Sequence, residues 1–154
     1  MMKSKVQFDK KMHTDESEMR QILYNVMYGW TRIPYSPIYY NGIDLSERYD
    51  IEHIAQEFLD LRKRFVNKKL PKGFVRILHI QIYDFQYWIV LQWIVDFVQK
   101  ILKECQYIAG IHYDANGYHI IFVVNTVNYV TGKRYRDGKM HEKIIQNYVN
   151  QLQV

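Results

Sequence analysis

The chain has 154 residues, 48% of them hydrophobic, so it can bury one ordinary core, and a single domain over residues 1–154 is expected. Cys105 is the single cysteine, which excludes an intramolecular disulfide framework, and no apolar signal segment follows the first residues, so a cytoplasmic protein is expected. The formal net charge of +5 is compatible either with a polyanionic partner or with a solvated basic surface.

The first predicted elements in chain order are a short strand from Val6 to Phe8 and an amphipathic helix. The run from Thr14 to Glu16 is typical of a helix start, because its side chains can accept hydrogen bonds from backbone N–H groups and its acidic residues suit the helix dipole. The helix carries Tyr24 and Tyr28. Its apolar stripe consists of Met19, Ile22, Leu23, Val26 and Met27.

A loop-like segment after this helix is rich in aromatic residues. It contains Pro34, Pro37 and Gly42, which disfavour regular structure. Its aromatic residues are Trp30, Tyr35, Tyr39 and Tyr40. Such rings either stack on unpaired bases or form a small satellite core beneath the loop, and the sequence leaves both interpretations open.

Two basic clusters follow along the chain. Asp50 predicts the N-cap of a second helix, whose inward positions recur at helical spacing from Ile51 to Phe65. One cluster lies at the end of that helix, and the other lies in the last quarter of the chain. The candidate phosphate contacts are Arg62, Lys63, Arg64, Lys68 and Lys69 in the first, and Lys133, Arg134 and Arg136 in the second. Each cluster either contacts a nucleic-acid backbone or is a solvated charged face.

The second half of the chain begins with a strand and a long apolar helix. Phe74 to Tyr83 suits a central strand, in which His79 is either a structural histidine or a support for a site. Trp88 to Leu102 is strongly apolar, but polar residues interrupt it and it is too short to span a bilayer comfortably, so a core helix is predicted. A terminal helix is predicted from about Lys139 to Leu152. The order of strands and helices indicates an α+β fold.

A predicted hairpin between these two helices holds the most informative residues. Asn116-Gly117 is a strong two-residue turn signal, and strand-forming residues flank it on both sides. A turn there pairs His112 with Ile121 and places His119 diagonally beside them. The three side chains are therefore expected on one face of the hairpin, because alternate residues of a strand share a face.

This arrangement resembles the catalytic domain of relaxases, the mobilization nucleases of conjugative plasmids and integrative elements, which belong to the HUH endonucleases. Their pattern has a His, an Asp two residues later, a pair of histidines separated by one hydrophobic residue, and then an Asn. It corresponds to His112, Asp114, His119 and Asn125 at matching spacing, but the second His of the pair is Ile121 here. Most of the chain follows the order of such a domain, although only the hairpin is specific. The resemblance implies a mainly antiparallel sheet with helices packed on it.

The resemblance also implies a chemistry. In relaxases, three histidines hold one divalent metal, Mg²⁺ or Mn²⁺, against the scissile phosphate of single-stranded DNA, while a tyrosine near the amino terminus attacks phosphorus and becomes joined to the 5′ end. Tyr24 and Tyr28 are the candidates for that nucleophile, with core-edge positions as the alternative. Asp114 is expected either to orient a histidine or to cap the turn. Asn125 is expected either to bond a ligand or to close a strand end.

Two functional hypotheses follow from the incomplete ligand set. In the first, His112 and His119, completed by Asp114, water or a DNA phosphate, still bind the metal, and the chain is a tyrosine-dependent nickase. In the second, the domain binds single-stranded or origin-of-transfer hairpin DNA without cutting it, as an accessory factor beside other relaxosome proteins. Ile121 favours the second, because hydrocarbon in place of an imidazole removes a metal bond. A module that binds proteins through its basic face is a third interpretation.

Overall fold

The computed structural model describes residues 3–10, 13, 15–65 and 73–153. The elements in these ranges are β1 (Ser4–Phe8), α1 (Glu16–Tyr28), β2 (Tyr39–Asn41), α2 (Ile51–Arg64), β3 (Val75–Ile82), α3 (Trp88–Ile101), β4 (Cys105–Asp114), β5 (Gly117–Asn128) and α4 (Gly138–Leu152). The strands form one sheet in the order β1-β3-β5-β4-β2, and every neighbouring pair is antiparallel. The predicted α+β fold with a mainly antiparallel sheet is confirmed.

Helices cover both faces of the sheet, because the central strands are apolar on both sides. On β3, Leu78, Ile80 and Ile82 belong to the core that α3 and α4 cover, whereas Val75 belongs to the core beneath α1 and α2. Strand β5 repeats this alternation, and Val123 lies on the α1 side. The result is three layers, with the sheet between two pairs of helices.

The two amino-terminal helices begin at the predicted aspartates. The Asp15 carboxylate accepts hydrogen bonds from the backbone N–H groups of Ser17 and Glu18, and the Asp50 carboxylate accepts one from His53. These side chains satisfy backbone donors that a helix leaves without partners in its first turn. Thr14, also expected at the first helix start, lies outside the described residues.

The turn of the β4–β5 hairpin lies one residue earlier than predicted. Ala115 and Asn116 form it, so Asp114 pairs with Gly117. The Asp114 carboxylate accepts the N–H of Asn116 at 2.8 Å, as in an Asx turn. Gly117 has a φ of 106°, and a Cβ there would lie 2.2 Å from the carbonyl oxygen of Ile82. Glycine is therefore required as the first residue of the strand rather than as the second residue of the turn.

This earlier turn changes the register of the hairpin. His112 pairs with His119 instead of Ile121, and Ile121 pairs with Gly110. The shift amounts to two residues, which is one full period of a strand, so His112, His119 and Ile121 still share a face. Their predicted pairing was wrong, whereas their predicted face is confirmed.

The aromatic segment after α1 is partly core and partly surface. Tyr39 begins the short strand β2, which was not predicted, and its hydroxyl donates to Gln92 Oε1 on α3 at 2.6 Å. Trp30 and Tyr35, in contrast, are 94% and 76% exposed. Part of this segment therefore packs into the core, and part of it lies at the surface.

Side chains of α4 close the outer edge of β1. Gln146 Oε1 accepts the backbone N–H of Val6 at 2.8 Å, and Glu142 Oε1 accepts that of Phe8 at 2.5 Å. Four residues of a helix rise about 6 Å, and two residues of a strand advance about 6.8 Å. Successive turns of α4 therefore meet successive outward-facing donors of β1.

The apolar run in the second half is the core helix α3, as predicted. Its buried residues are Leu91, Ile94, Val95 and Val98. Among the described residues, no helix is both long and apolar enough to cross a membrane.

Candidate functional site

Three of the histidines lie together on the face of the sheet that α1 covers. His112 on β4 and His119 on β5 are cross-strand partners, and His79 on β3 is the partner of Ile121 on β5. Facing residues in a sheet project from the same side. These four side chains therefore occupy one patch across three neighbouring strands.

His112 is held in this patch by two hydrogen bonds, and only 5% of its surface is exposed. Nε2 lies 3.1 Å from the carbonyl oxygen of Val26, and Nδ1 lies 2.8 Å from Thr31 Oγ1. A carbonyl oxygen can only accept, so Nε2 carries the proton and donates it to Val26. Nδ1 of the neutral ring then accepts from the Thr31 hydroxyl. Burial lowers the pKa of His112, which favours this neutral form.

These bonds attach β4 to the end of α1. Val26 lies in the last turn of α1, where backbone carbonyls have no partner within the helix. The His112 N–H satisfies one of them, and Gly110 on the same strand lets the helix approach closely. A Cβ at Gly110 would lie 2.7 Å from the Val26 carbonyl oxygen. The contacts of His112 are thus those of a residue that anchors a helix.

His119 connects His79 with Asp114. Its Nε2 donates to Asp114 Oδ1 at 2.8 Å, and its Nδ1 lies 2.7 Å from His79 Nε2. The hydrogen bond from His119 lowers the pKa of Asp114, and the bond from the Asn116 N–H acts in the same direction. Burial lowers the pKa of His79, with a further contribution from the charge of His119. Asp114 thereby contacts both a histidine and the turn, the two alternatives that the sequence left open.

Two adjoining pockets lie between α1 and the sheet, with volumes of about 370 and 320 Å³. Both are lined by Asn25, Val26 and Ile121. The larger pocket is also lined by Gln7, Asp9, Ile22, Ile77 and His79, and the smaller one by Gly29, Trp30, Thr31 and His112. Ile121 therefore stands where the two pockets meet.

The donor set at this place does not fit the divalent metal that the family resemblance implies. The nitrogens of His112 bond Val26 and Thr31, and those of His119 bond Asp114 and His79. Ile121 presents hydrocarbon instead of a third imidazole. Across residues 3–10, 13, 15–65 and 73–153, no group of three His, Cys, Asp or Glu side chains could hold a metal ion. The residues present would have to exchange existing hydrogen bonds to ligate one.

Tyr24 and Tyr28, the candidate nucleophiles, lie on another side of α1. They are 50% and 46% exposed, and their rings contact each other with centroids 5.6 Å apart. Successive residues of a helix are rotated by about 100°, so Tyr24 and Tyr28 project away from the side where Ile22, Asn25 and Val26 line the pockets. The structure does not bring either hydroxyl together with the histidines.

Asn125 lies further along β5 and is fully buried. Its amide donates to Gln106 Oε1 at 2.9 Å and to the Phe58 carbonyl at 3.2 Å, while its Oδ1 accepts from the Val127 N–H at 3.1 Å. These contacts join β5 to α2 and β4. Asn125 thus lies inside β5, three residues before its end, and its amide is satisfied by contacts within the core.

The described members of the two predicted basic clusters lie at the other end of the sheet. Gly132, with a φ of 72°, packs directly against Phe65, which brings the loop after β5 to the end of α2. Arg62 is partly buried and reaches the Thr126 hydroxyl at 3.3 Å. The exposed members are Lys63, Arg64, Lys133, Arg134 and Arg136. Lys68 and Lys69 lie outside the described residues.

Three residues of the site were not identified from the sequence. Asn25 could have been found, because it shares helical spacing with Ile22 and Val26 on the inward side of α1. Trp30 is one of several aromatic residues in its segment, and nothing in the sequence distinguishes it from the others. Thr31 had no local signal, since its partner His112 is 81 positions away along the chain.

Comparison with known families agrees with this architecture. The family model described as "Relaxase: MobA/VirD2-like, nuclease domain" matches residues 37–154, which include the hairpin and its histidines. The segment carrying β1 and α1 precedes the matched residues. Comparisons with curated proteins and with solved structures give no significant match.

Proposed function

The chain belongs to the relaxase family of MobA/VirD2-like nuclease domains, and from this premise we propose that residues 1–154 form one relaxase-like domain of a plasmid or integrative-element mobilization system. The domain binds single-stranded or origin-of-transfer hairpin DNA. Its metal-dependent tyrosine transesterification is lost or weakened.

The proposal rests on which side chains occupy the positions of the family's metal ligands and on what those side chains already bond. Ile121 cannot donate an electron pair, and the accepting nitrogen of His112 is engaged by Thr31. Metal ligation needs deprotonated nitrogen lone pairs, so each engaged ring must first lose a hydrogen bond. A metal bound here would therefore be weak in comparison with one held by three available imidazoles.

Charge and geometry support the DNA-binding part of the proposal. The exposed basic residues lie near Asn128 at one end of β5, and the pockets lie nearer Gly117 at the other. The seven residue steps from Ile121 to Asn128 extend about 24 Å. Because α1 and α2 cover this part of the sheet, a single strand that contacts both places would pass over these helices, with its phosphates at the basic residues and a base at the pockets.

A second candidate is a non-catalytic accessory module that binds another relaxosome protein. An exposed aromatic cluster near the hairpin turn favours it, because aromatic residues are enriched in protein interfaces. Tyr35 and Trp88 pack edge to face with centroids 5.3 Å apart, and Phe85 and Tyr87 form a similar pair at 5.8 Å. If this candidate is correct, the protein should bind a partner protein when no nucleic acid is present.

Fluorescence anisotropy with a labelled single-stranded oligonucleotide, at several salt concentrations, tests the DNA-binding part. The logarithm of affinity should fall with the logarithm of salt concentration, with a slope of about −0.7 per phosphate contacted. The double variant Arg64→Ala, Lys133→Ala should weaken binding and reduce the slope. The matched control, Lys100→Ala with Lys103→Ala, removes the same charge from the surface beside β2 and should retain both.

Two outcomes would contradict the proposal. Binding that is undetectable at low salt, or independent of salt, removes nucleic acid from the function. Efficient metal-dependent nicking of single-stranded DNA by the unmodified protein would instead show that catalysis is retained.

A further inference from the structure

We propose that the smaller pocket, formed by Asn25, Val26, Trp30, Thr31 and Ile121, receives one unpaired nucleobase that stacks on Trp30. The place where the family resemblance expects a metal ion thus becomes a base-binding site. This inference rests on the proposed binding of single-stranded DNA and specifies where a base is held.

Trp30 is the first observation. Its side chain is 94% exposed, although tryptophan is highly buried on average in folded proteins. The backbone next to Trp30 nevertheless makes hydrogen bonds on both sides. The Arg32 N–H donates to the Gly29 carbonyl, and the Tyr113 N–H donates to the Thr31 carbonyl, each at 2.9 Å. An exposed indole on a fixed backbone is a suitable stacking platform.

The lining of the pocket is the second observation. Val26 and Ile121 supply an apolar floor, and Asn25 and Thr31 supply polar groups at its sides. A nucleobase has the same division, with two apolar faces and a polar edge. The Asn25 amide nitrogen can donate to such an edge, and its Oδ1, which accepts from Gln21 at 3.0 Å, has a second lone pair that can accept from it.

The charge of the pocket favours a base over a phosphate. No lysine or arginine is among the described residues that line it. His112 is the one titratable side chain in that lining, and its bonds to the Val26 carbonyl and the Thr31 hydroxyl engage both ring nitrogens. A phosphate would enter without a lysine or arginine in direct contact, whereas a neutral base costs less free energy to remove from water than an anion does.

Two oligonucleotides of equal length test the proposal, one of thymidylate and one with the same backbone but without bases. Both carry the same phosphates, so a difference in affinity reports base contacts. The unmodified protein should bind the thymidylate roughly 5- to 150-fold more tightly, the range expected for stacking one base. Trp30→Ala should remove most of this preference. Trp93→Ala, which truncates a 45% exposed tryptophan on α3, should retain it.

Tryptophan fluorescence gives an independent measurement that does not depend on affinity alone. Addition of thymidylate should quench the emission of the unmodified protein and of Trp93→Phe, but not that of Trp30→Phe. The phenylalanine variants keep an aromatic ring, which limits any loss of folding.

The outcomes separate this inference from the proposed function. Salt-dependent binding without any preference for bases, or with a preference that survives Trp30→Ala, overturns the base pocket and leaves DNA binding in place. Failure to bind either oligonucleotide overturns both.

Discussion

The rings of His79 and His119 are joined by a hydrogen bond of 2.7 Å and stack with their centroids 4.9 Å apart. One N–H lies between the two nitrogens, because the other nitrogen of His119 donates to Asp114. A second proton in this space would have no acceptor, because both facing nitrogens would then carry a hydrogen. The folded protein therefore favours a pair in which at least one ring is neutral.

The free energy of unfolding should decrease as the pH falls below about 6.5. Burial lowers the pKa of His79, His112 and His141 in the folded state, so the unfolded chain binds more protons in the window below their ordinary value of 6.5. Their contribution is fully present above that value and is lost as the pH falls. Urea denaturation at a series of pH values measures it, and His141→Asn should flatten the profile. Stability that stays constant or rises on acidification would contradict this prediction.

Ile121→His should tighten binding of Mn²⁺. The substitution adds an imidazole on the face that already carries His112 and His119, and a further Thr31→Val change releases the accepting nitrogen of His112. Isothermal titration calorimetry should therefore rank the double variant above the single variant, and the single variant above the unmodified protein. Ile89→His adds an imidazole on exposed α3 and should change nothing. An unmodified protein that binds Mn²⁺ as tightly as these variants would refute the degenerate-site interpretation.

No covalent tyrosine–DNA adduct should form with the unmodified protein. Tyr24 and Tyr28 project away from the pockets, and turning them inward would rotate the buried Leu23 and Met27 out of the core. Denaturing gels after incubation with a labelled oligonucleotide and Mn²⁺ detect such an adduct. Tyr24→Phe and Tyr28→Phe should bind DNA as the unmodified protein does. An adduct that disappears in one of the two variants would identify that tyrosine as a nucleophile.

Gly117→Ala should destabilise the protein more than Gly42→Ala. Both glycines have positive φ, which costs an alanine about 1–2 kcal/mol. At Gly117 the new methyl group would also lie 2.2 Å from a backbone oxygen, that of Ile82, whereas at Gly42 its nearest neighbour is the Gln106 side chain at 3.0 Å. Urea denaturation compares the two free energies of unfolding. Equal losses would show that the approach of the turn to β3 does not constrain the hairpin.

Much of the fold could be predicted because its signals are local. Asp50 marks a helix start through a bond to a residue three positions away, and the apolar run of α3 is visible in any short window. The hairpin turn was misplaced by one residue, because Asn116-Gly117 satisfies the usual turn rule by itself. What shifts it is the packing of Gly117 against Ile82, a residue on a different strand.

The site was predictable in composition but not in contacts. The period of a strand was enough to put His112, His119 and Ile121 on one face. It could not show that His112 bonds α1, because Val26 and Thr31 are 86 and 81 positions away along the chain. Nor could it show His79 beside His119, since the pairing of β3 with β5 is a property of the whole sheet.

The hydrogen bonds between α4 side chains and the β1 backbone determine where this domain can be divided for experiments. Gln146 and Glu142 meet Val6 and Phe8 across 140 and 134 positions of sequence. A fragment that begins at residue 37, where the family match begins, would lack β1 and leave one edge of β3 unpaired. A fragment that ends before Glu142 would uncover the outward donors of β1. Either cut is expected to produce intermolecular strand pairing and insoluble protein, so expression should retain both segments.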